Sequence, residues 1–235
     1  MEQGALIDGL MEFGLTRQEA AIYIALSKSN ALTGYEVAKV TGISRSNAYS
    51  SLSGLVDKGA ANVIEGESTK YSAVKITEFA DNRIRNLQSE KVRLEKNLPS
   101  LKAEEEGYIT IKGGKNIFNK AVTMLLAAEQ RVYMSMTVAY VQEFEETLRQ
   151  LEQKGIKIII ITDKAIEIPG ATVYISEEKA TQIGIITDSV NVLTGEYRHS
   201  SDDTALYTGQ CNFVRVFKDS LKNEIELIEL KKETK

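Results

Sequence analysis

Residues 42–60, GISRSNAYSSLSGLVDKGA, decide the reading of the chain. The stretch opens with small polar side chains around one arginine and turns apolar only later. Ser44 stands where a helix N-cap belongs, since its side-chain oxygen can accept a first-turn backbone N–H. Ala48, Leu52, Leu55 and Val56 then recur at helical spacing and make one stripe, while Arg45, Ser46, Asn47 and Ser50 lie away from it. Gly59 ends the helix. A bare, polar first turn with a greasy flank behind it suits a helix that is held from one side and pushed end-on into a groove.

The flanking sequence supplies what such a helix needs. Upstream, Leu6, Ile7, Leu10 and Phe13 sit at helical spacing before Gly14. Thr16 precedes Glu19 by three residues, a capping box that opens a second helix with apolar Ala20, Tyr23, Ile24 and Leu26. Thr33 opens a short third helix, with Val37, Ala38 and Val40, closed by Gly42. Downstream, AANVIEGESTKYSAV reads as two strands around Gly66-Glu67-Ser68. Residues 1–75 therefore predict a winged helix-turn-helix.

In that motif the amino-terminal end of the second helix meets the major groove, so Ser44, Arg45, Ser46 and Asn47 become candidate DNA contacts. Arg45 would fork onto a guanine or clamp a phosphate, Asn47 would pair with adenine or fix the backbone, and the serines would donate to phosphates. Tyr49 either reaches a phosphate or packs under the wing. Lys39, Lys70 and Lys75 either flank the groove or are solvated surface cations. A winged helix can also bind protein, so an interaction adaptor stands as the alternative.

From Ile76 to about Glu106 the chain is charged and glycine-free. Ala80, Ile84, Leu87, Lys91, Leu94, Leu98 and Leu101 alternate steps of four and three, a heptad seam that wants a partner helix or packs on its own chain. Pro99 should kink or restart it. Ile84, Leu87, Leu94, Leu98 and Leu101 are the expected dimer contacts. Beyond Gly107, strand-like and helix-like stretches alternate (YITIKG, NIFNKAVTMLLAAEQ, RVYMSM, YVQEFEETLRQLEQKG, IKIIIITD), which predicts parallel pairing with crossover helices. Three more strands follow at ATVYIS, QIGIIT and SVNVLTG, then an amphipathic helix with Phe213, Phe217, Leu221, Ile225 and Ile228. Residues 107–235 read as an α/β domain.

Composition bounds the rest. The 235 residues carry a formal charge of −4, and the first 75 hold seven basic and eight acidic side chains, so any DNA contact must come from a local basic stripe. No apolar run approaches the ~20 residues that cross a bilayer. The amino terminus, MEQGALIDGL, lacks a signal peptide's basic-then-greasy pattern, so the expectation is a cytoplasmic protein without a membrane partner. Cys211 is the single cysteine, with no metal knuckle or redox pair around it, and buried filler is its expected role. No cofactor or metal site is expected.

GLTRQEAAIYIAL followed by TGYEVAKVTGISRSNAYSSLSGLVDKGAANVIEG resembles the amino-terminal domain of the TrmB family of transcriptional regulators. The later segments KGIKIIIITD and IGIITDSVNVLTGEY resemble, more loosely, that family's phospholipase-D-like carboxy-terminal domain. The resemblance implies a homodimer that binds operator DNA, double-stranded, and often answers to a sugar or another small-molecule effector. It also puts Ser44, Arg45, Ser46, Asn47 and Tyr49 in the recognition helix. The expected architecture is thus α+β and multi-domain: a winged helix-turn-helix (1–75), a connecting coiled-coil-like dimerisation helix (76–106), and a phospholipase-D-like α/β domain (107–235).

Phospholipase-D chemistry needs a histidine nucleophile in H-x-K-x4-D and a second histidine as general acid. His199 is the only histidine and no lysine stands two residues on, so that reaction is excluded in its usual form. An enzyme with an unrecognised site is the remaining alternative. Asp163 and Asp188 end apolar strands, where α/β folds place either ligand groups or turn formers. Gly113-Gly114-Lys115 reads as a strand-to-helix turn. His199, with Asp202 and Asp203, belongs to a loop that could touch a ligand.

Overall fold

The computed structural model describes residues 3–99, 107–176 and 179–233. The chain divides into two units, Met1–Ser100 and Leu101–Lys235.

In the first unit, α1 (Gln3–Glu12) stops at Gly14, whose φ of +89° suits glycine. Thr16 then caps α2 (Arg17–Ser27). Its hydroxyl accepts the Glu19 N–H at 3.2 Å, and the Glu19 carboxylate accepts the Thr16 N–H at 2.6 Å. Ala20, Ile22, Tyr23, Ile24 and Leu26 are all buried, so α2 is the central helix and is apolar on more than one side. After β1 (Leu32–Thr33), a second capping box of Thr33 and Glu36 starts α3 (Gly34–Thr41). Gly42, at φ +72°, makes the turn into α4 (Arg45–Asp57).

Two strands follow, β2 (Ala61–Ile64) and β3 (Lys70–Ala73), paired antiparallel as the wing. The sheet has a third member that the sequence reading lacked: β1 pairs with β3, giving the order β1-β3-β2. Two residues carry no usable alternation, so periodicity cannot find such a strand. The Tyr23 hydroxyl donates to the Val74 carbonyl at 2.7 Å and ties the central helix to the end of the wing.

The connecting helix α5 runs Ile76–Asn97 and stops just before Pro99, where a kink or restart is expected; residues 100–106 of the expected span lie outside the described residues. Leu98 is already extended (φ −76°, ψ 141°), because the ring of Pro99 bars the residue before it from helical geometry. Leu98 is therefore past the helix end, and Leu101 lies outside the described residues. Phe79 is buried in the core of the first unit, whereas Ile84, Leu87 and Leu94 are exposed along α5.

The second unit is built on one seven-stranded sheet, β4 (Tyr108–Lys112), β5 (Arg131–Ser135), β6 (Lys157–Thr162), β7 (Ala171–Ile175), β8 (Gln182–Thr187), β9 (Asn191–Glu196) and β10 (Thr204–Thr208). Its order is β4-β10-β9-β8-β5-β6-β7. The parallel pairing expected of β4, β5 and β6 holds only for β5 with β6, and β7 adds a parallel neighbour on the other side of β6. β4 points the same way as β5 but is separated from it by three strands, and it pairs antiparallel with β10. β10, the segment TALYT, was missed; short and polar at both ends, it reads locally as loop.

Helices cover both faces. α6 (Gly114–Leu126), α7 (Val138–Glu143) and α8 (Glu145–Gln153) pack on one side through Ile117, Leu125, Val141, Phe144 and Leu148 against Val132, Met134 and Ile160. α9 (Cys211–Glu233) covers the other through Val214, Phe217 and Leu221 against Ile161, Ile186 and Val192. The single helix expected over 140–155 is broken at Phe144, whose buried ring stacks on Phe118 with centroids 4.9 Å apart. Cys211 is exposed at the first turn of α9, not buried.

Candidate nucleic-acid interface

The first unit presents the end of α4 as the sequence predicts. Ala48, Ser51, Leu52 and Leu55 are buried against α2 and α3, while Ser44, Arg45, Ser46 and Asn47 are all exposed. Ser44 is the N-cap; its Oγ accepts the Asn47 N–H at 3.4 Å, leaving its own proton free to donate. The turn before it is fixed by the Gly42 N–H to the Ala38 carbonyl at 3.0 Å and by the Thr41 hydroxyl to the Val37 carbonyl at 2.7 Å. The first-turn N–H groups of α4 thus point outward at its positive end, beside a guanidinium, an amide and two hydroxyls.

Around this tip the structure places the other candidates. Lys39 is exposed in the last turn of α3. Lys70 begins β3 opposite Thr33, near Glu36. The Thr33 N–H and hydroxyl hold the Glu36 carboxyl below the usual carboxylate range, and the Lys70 charge adds to that. Lys75 sits at the N-cap position of α5 without a side-chain cap bond. At the wing tip Glu65 and Glu67 are exposed, which discourages phosphate there.

Tyr49 lies one turn along α4 from Arg45. Its ring rests on Gly34: a Cβ built there would fall 2.4 Å from the Tyr49 Cε1, yet half of Tyr49 remains exposed. The ring therefore packs on the start of α3 rather than under the wing. The sequence reading missed Tyr35, whose ring lies under the Arg45 guanidinium with 4.6 Å from the guanidinium carbon to the ring centroid. A large aromatic beside Glu36 in the first turn of α3 was the available signal.

A second missed feature stiffens the base of this reader. Glu19 is buried, and its Oε2 accepts from the Lys58 ammonium at 2.6 Å, with Lys58 also donating to the Gly14 carbonyl at 2.9 Å. Burial would raise the Glu19 pKa, but the Lys58 hydrogen bond, the Thr16 N–H and the Lys58 charge outweigh it and hold the carboxyl below its ordinary value. Gly54 on α4 makes room, since a Cβ there would lie 2.3 Å from Glu19 Oε1.

In the second unit the three candidate ligand residues do not share partners. Asp188 (φ +52°) spends its carboxylate on the N–H groups of Glu129, Gln130 and Arg131, at 2.8–2.9 Å. Asp163 accepts the Val138 N–H at 2.7 Å and so caps the start of α7. His199 stands elsewhere, its Nε2 3.1 Å from Glu143 Oε1, while the other Glu143 oxygen accepts the buried Tyr197 hydroxyl at 2.8 Å. The rings of Tyr197 and Tyr140 lie 4.6 Å and 5.8 Å from the imidazole. Burial and the Glu143 carboxylate push the Tyr197 hydroxyl far above its ordinary pKa, so it stays a proton donor. Asp203 Oδ2 accepts the N–H groups of Arg198 and Ser200 and shapes the His199 loop. Gly113 and Gly114 form the strand-to-helix turn beneath it, where a Cβ on Gly114 would come within 3.0 Å of the His199 Cα.

Comparison with known proteins joins the two halves. Residues 10–77 match the family model "Sugar-specific transcriptional regulator TrmB", and residues 107–223 match the N-terminal subdomain of the effector-binding domain of the same regulators. The chain belongs to the TrmB family. It is a DNA-binding regulator of transcription with an effector-type α/β domain. Among relatives, YrhO of Bacillus subtilis is 26% identical over 97% of this chain and 86% of its own length. The HTH-type sugar sensing transcriptional regulator TrmBL1 of Pyrococcus furiosus is 29% identical over 72% of this chain, which spans half of that protein. The solved structure of TrmBL2, an archaeal chromatin protein, aligns over 95% of this TrmB-family chain and 98% of its own, at 21% identity and a TM-score of 0.42.

Proposed function

We propose that the protein acts as a homodimer that reads a palindromic operator with Ser44, Arg45, Ser46 and Asn47, while Lys39, Lys70 and the Tyr49 hydroxyl engage the flanking phosphates. The single observation that carries this reading is the exposure of residues 44–47 together with the burial of Ala48, Leu52 and Leu55 directly behind them. In this reading Ile84, Leu87 and Leu94 on α5 pair with the same residues of a second copy, so that two readers are held one helical repeat apart.

A small-molecule effector, of the sugar class that the family description carries, would act through the second unit by favouring one placement of the readers over another. His199 is the candidate contact, since its side chain is exposed beside a carboxylate and two aromatic rings, whereas Asp163 and Asp188 serve as frame. The protein works in the cytoplasm, where the DNA is, and without catalysis.

The test is titration of the full chain with duplexes selected from a random pool and with the unselected pool, at moderate ionic strength. Selective binding is expected, with Arg45→Ala reducing the affinity for the selected duplex by about 1–3 kcal/mol per half-site if the arginine forks onto a base. Indifference to both pools would overturn the reading and leave a protein-interaction adaptor.

A further inference from the structure

We propose that the Gly34–Tyr35 step at the start of α3 is a platform that sets Arg45 and Tyr49 in place before DNA arrives, with Tyr35 as the positioning residue for Arg45. The proposal rests on the operator-binding reading. Its geometry is independent of that reading. Two consecutive residues of one helix meet two residues spaced one turn apart on the next, and positions i and i+4 of a helix share a face. Gly34 receives the ring of Tyr49, which occupies the space a Cβ would need. Tyr35 offers its ring face to the Arg45 guanidinium at 4.6 Å, inside the limit of about 6 Å for a cation held by an aromatic quadrupole.

Tyr35 has no part in the core, because it is 52% exposed. Nor does any carboxylate among the described residues form an ion pair with Arg45 that would fix it instead. A free arginine at a helix tip loses rotamer freedom when it binds, and a guanidinium already stacked on a ring loses less. The capping box of Thr33 and Glu36 immobilises the backbone from which Tyr35 projects. Stacking leaves the guanidinium edge, with its donors, free for a base or phosphate.

The experiment uses the full chain and a duplex selected from a random pool. Tyr35→Phe keeps the ring and is expected to bind as the natural chain does. Tyr35→Leu keeps apolar bulk without a ring face, and it should lose about twofold to fivefold in affinity per half-site, as should Tyr35→Ala. Combining Tyr35→Ala with Arg45→Ala should add nothing to the loss from Arg45→Ala alone, the signature of two residues acting as one unit. Equal affinities for Tyr35→Phe and Tyr35→Leu, or additive losses in the double variant, would overturn the platform while leaving operator binding intact. Failure of the natural chain to prefer the selected duplex would overturn operator binding itself.

Discussion

At the scale of single residues, Glu19 shows how much of this reader depends on one carboxylate. It closes the capping box of α2 and, from the same oxygen, takes the ammonium of Lys58 just past the end of α4. Glu19→Ala should therefore cost about 1–3 kcal/mol, the sum of a lost cap and a charge-assisted hydrogen bond, discounted because Lys58 is partly solvated. Thermal melts would measure it. The sign of the pH effect follows from a folded pKa held below the ordinary 4.5. The stabilisation is complete above that value and is lost as pH falls through the lower, folded pKa. Glu19→Gln should flatten the acid limb of the stability profile below about pH 5, and an unchanged acid limb would remove Glu19 from this role.

At the scale of elements, α5 is the informative case. Its seam residues Ile84, Leu87 and Leu94 are exposed, while Phe79 at its base is sunk in the core. Leu87→Asp with Leu94→Asp should convert a dimer to a monomer by sedimentation without lowering the melting temperature of the first unit, because neither side chain supports that core. The heptad pattern was legible because it is local, and so were the Thr16–Glu19 capping box, Thr33 as the start of α3 and the polar tip of α4. The interruption at Pro99 was legible too: α5 ends at Asn97, just before it, and residues 100–106 lie outside the described residues. Strand partners were the least legible. The segments β4, β5 and β6 were each found from their own residues, yet the neighbours of β4 depend on β10, which no local pattern announces. Tyr35 escaped for a similar reason, since its relation to Arg45 exists only once two helices are docked.

At the scale of the whole molecule, electrostatics works against the proposed partner. The formal charge is −4, so a duplex repels the protein at long range and is held only by the few cations beside α4. With Lys39 and Lys70 as the cationic phosphate contacts in each of two subunits, the plot of log affinity against log salt should have a slope of about −4. Lys70→Ala should make it shallower by about 2 without changing which sequence is selected. A slope near zero would mean that these cations do not meet phosphates. The sheet of the second unit carries its own consequence for biosynthesis. Tyr108, in its first strand, finds its partner in Thr208, in its last. During translation the residues of the first unit all precede β4, whereas the sheet of the second unit cannot close until β10 has been made. A ribosome that stalls between β9 and β10 would thus release a polypeptide with its wing and α4 complete and β4 left without its only sheet neighbour.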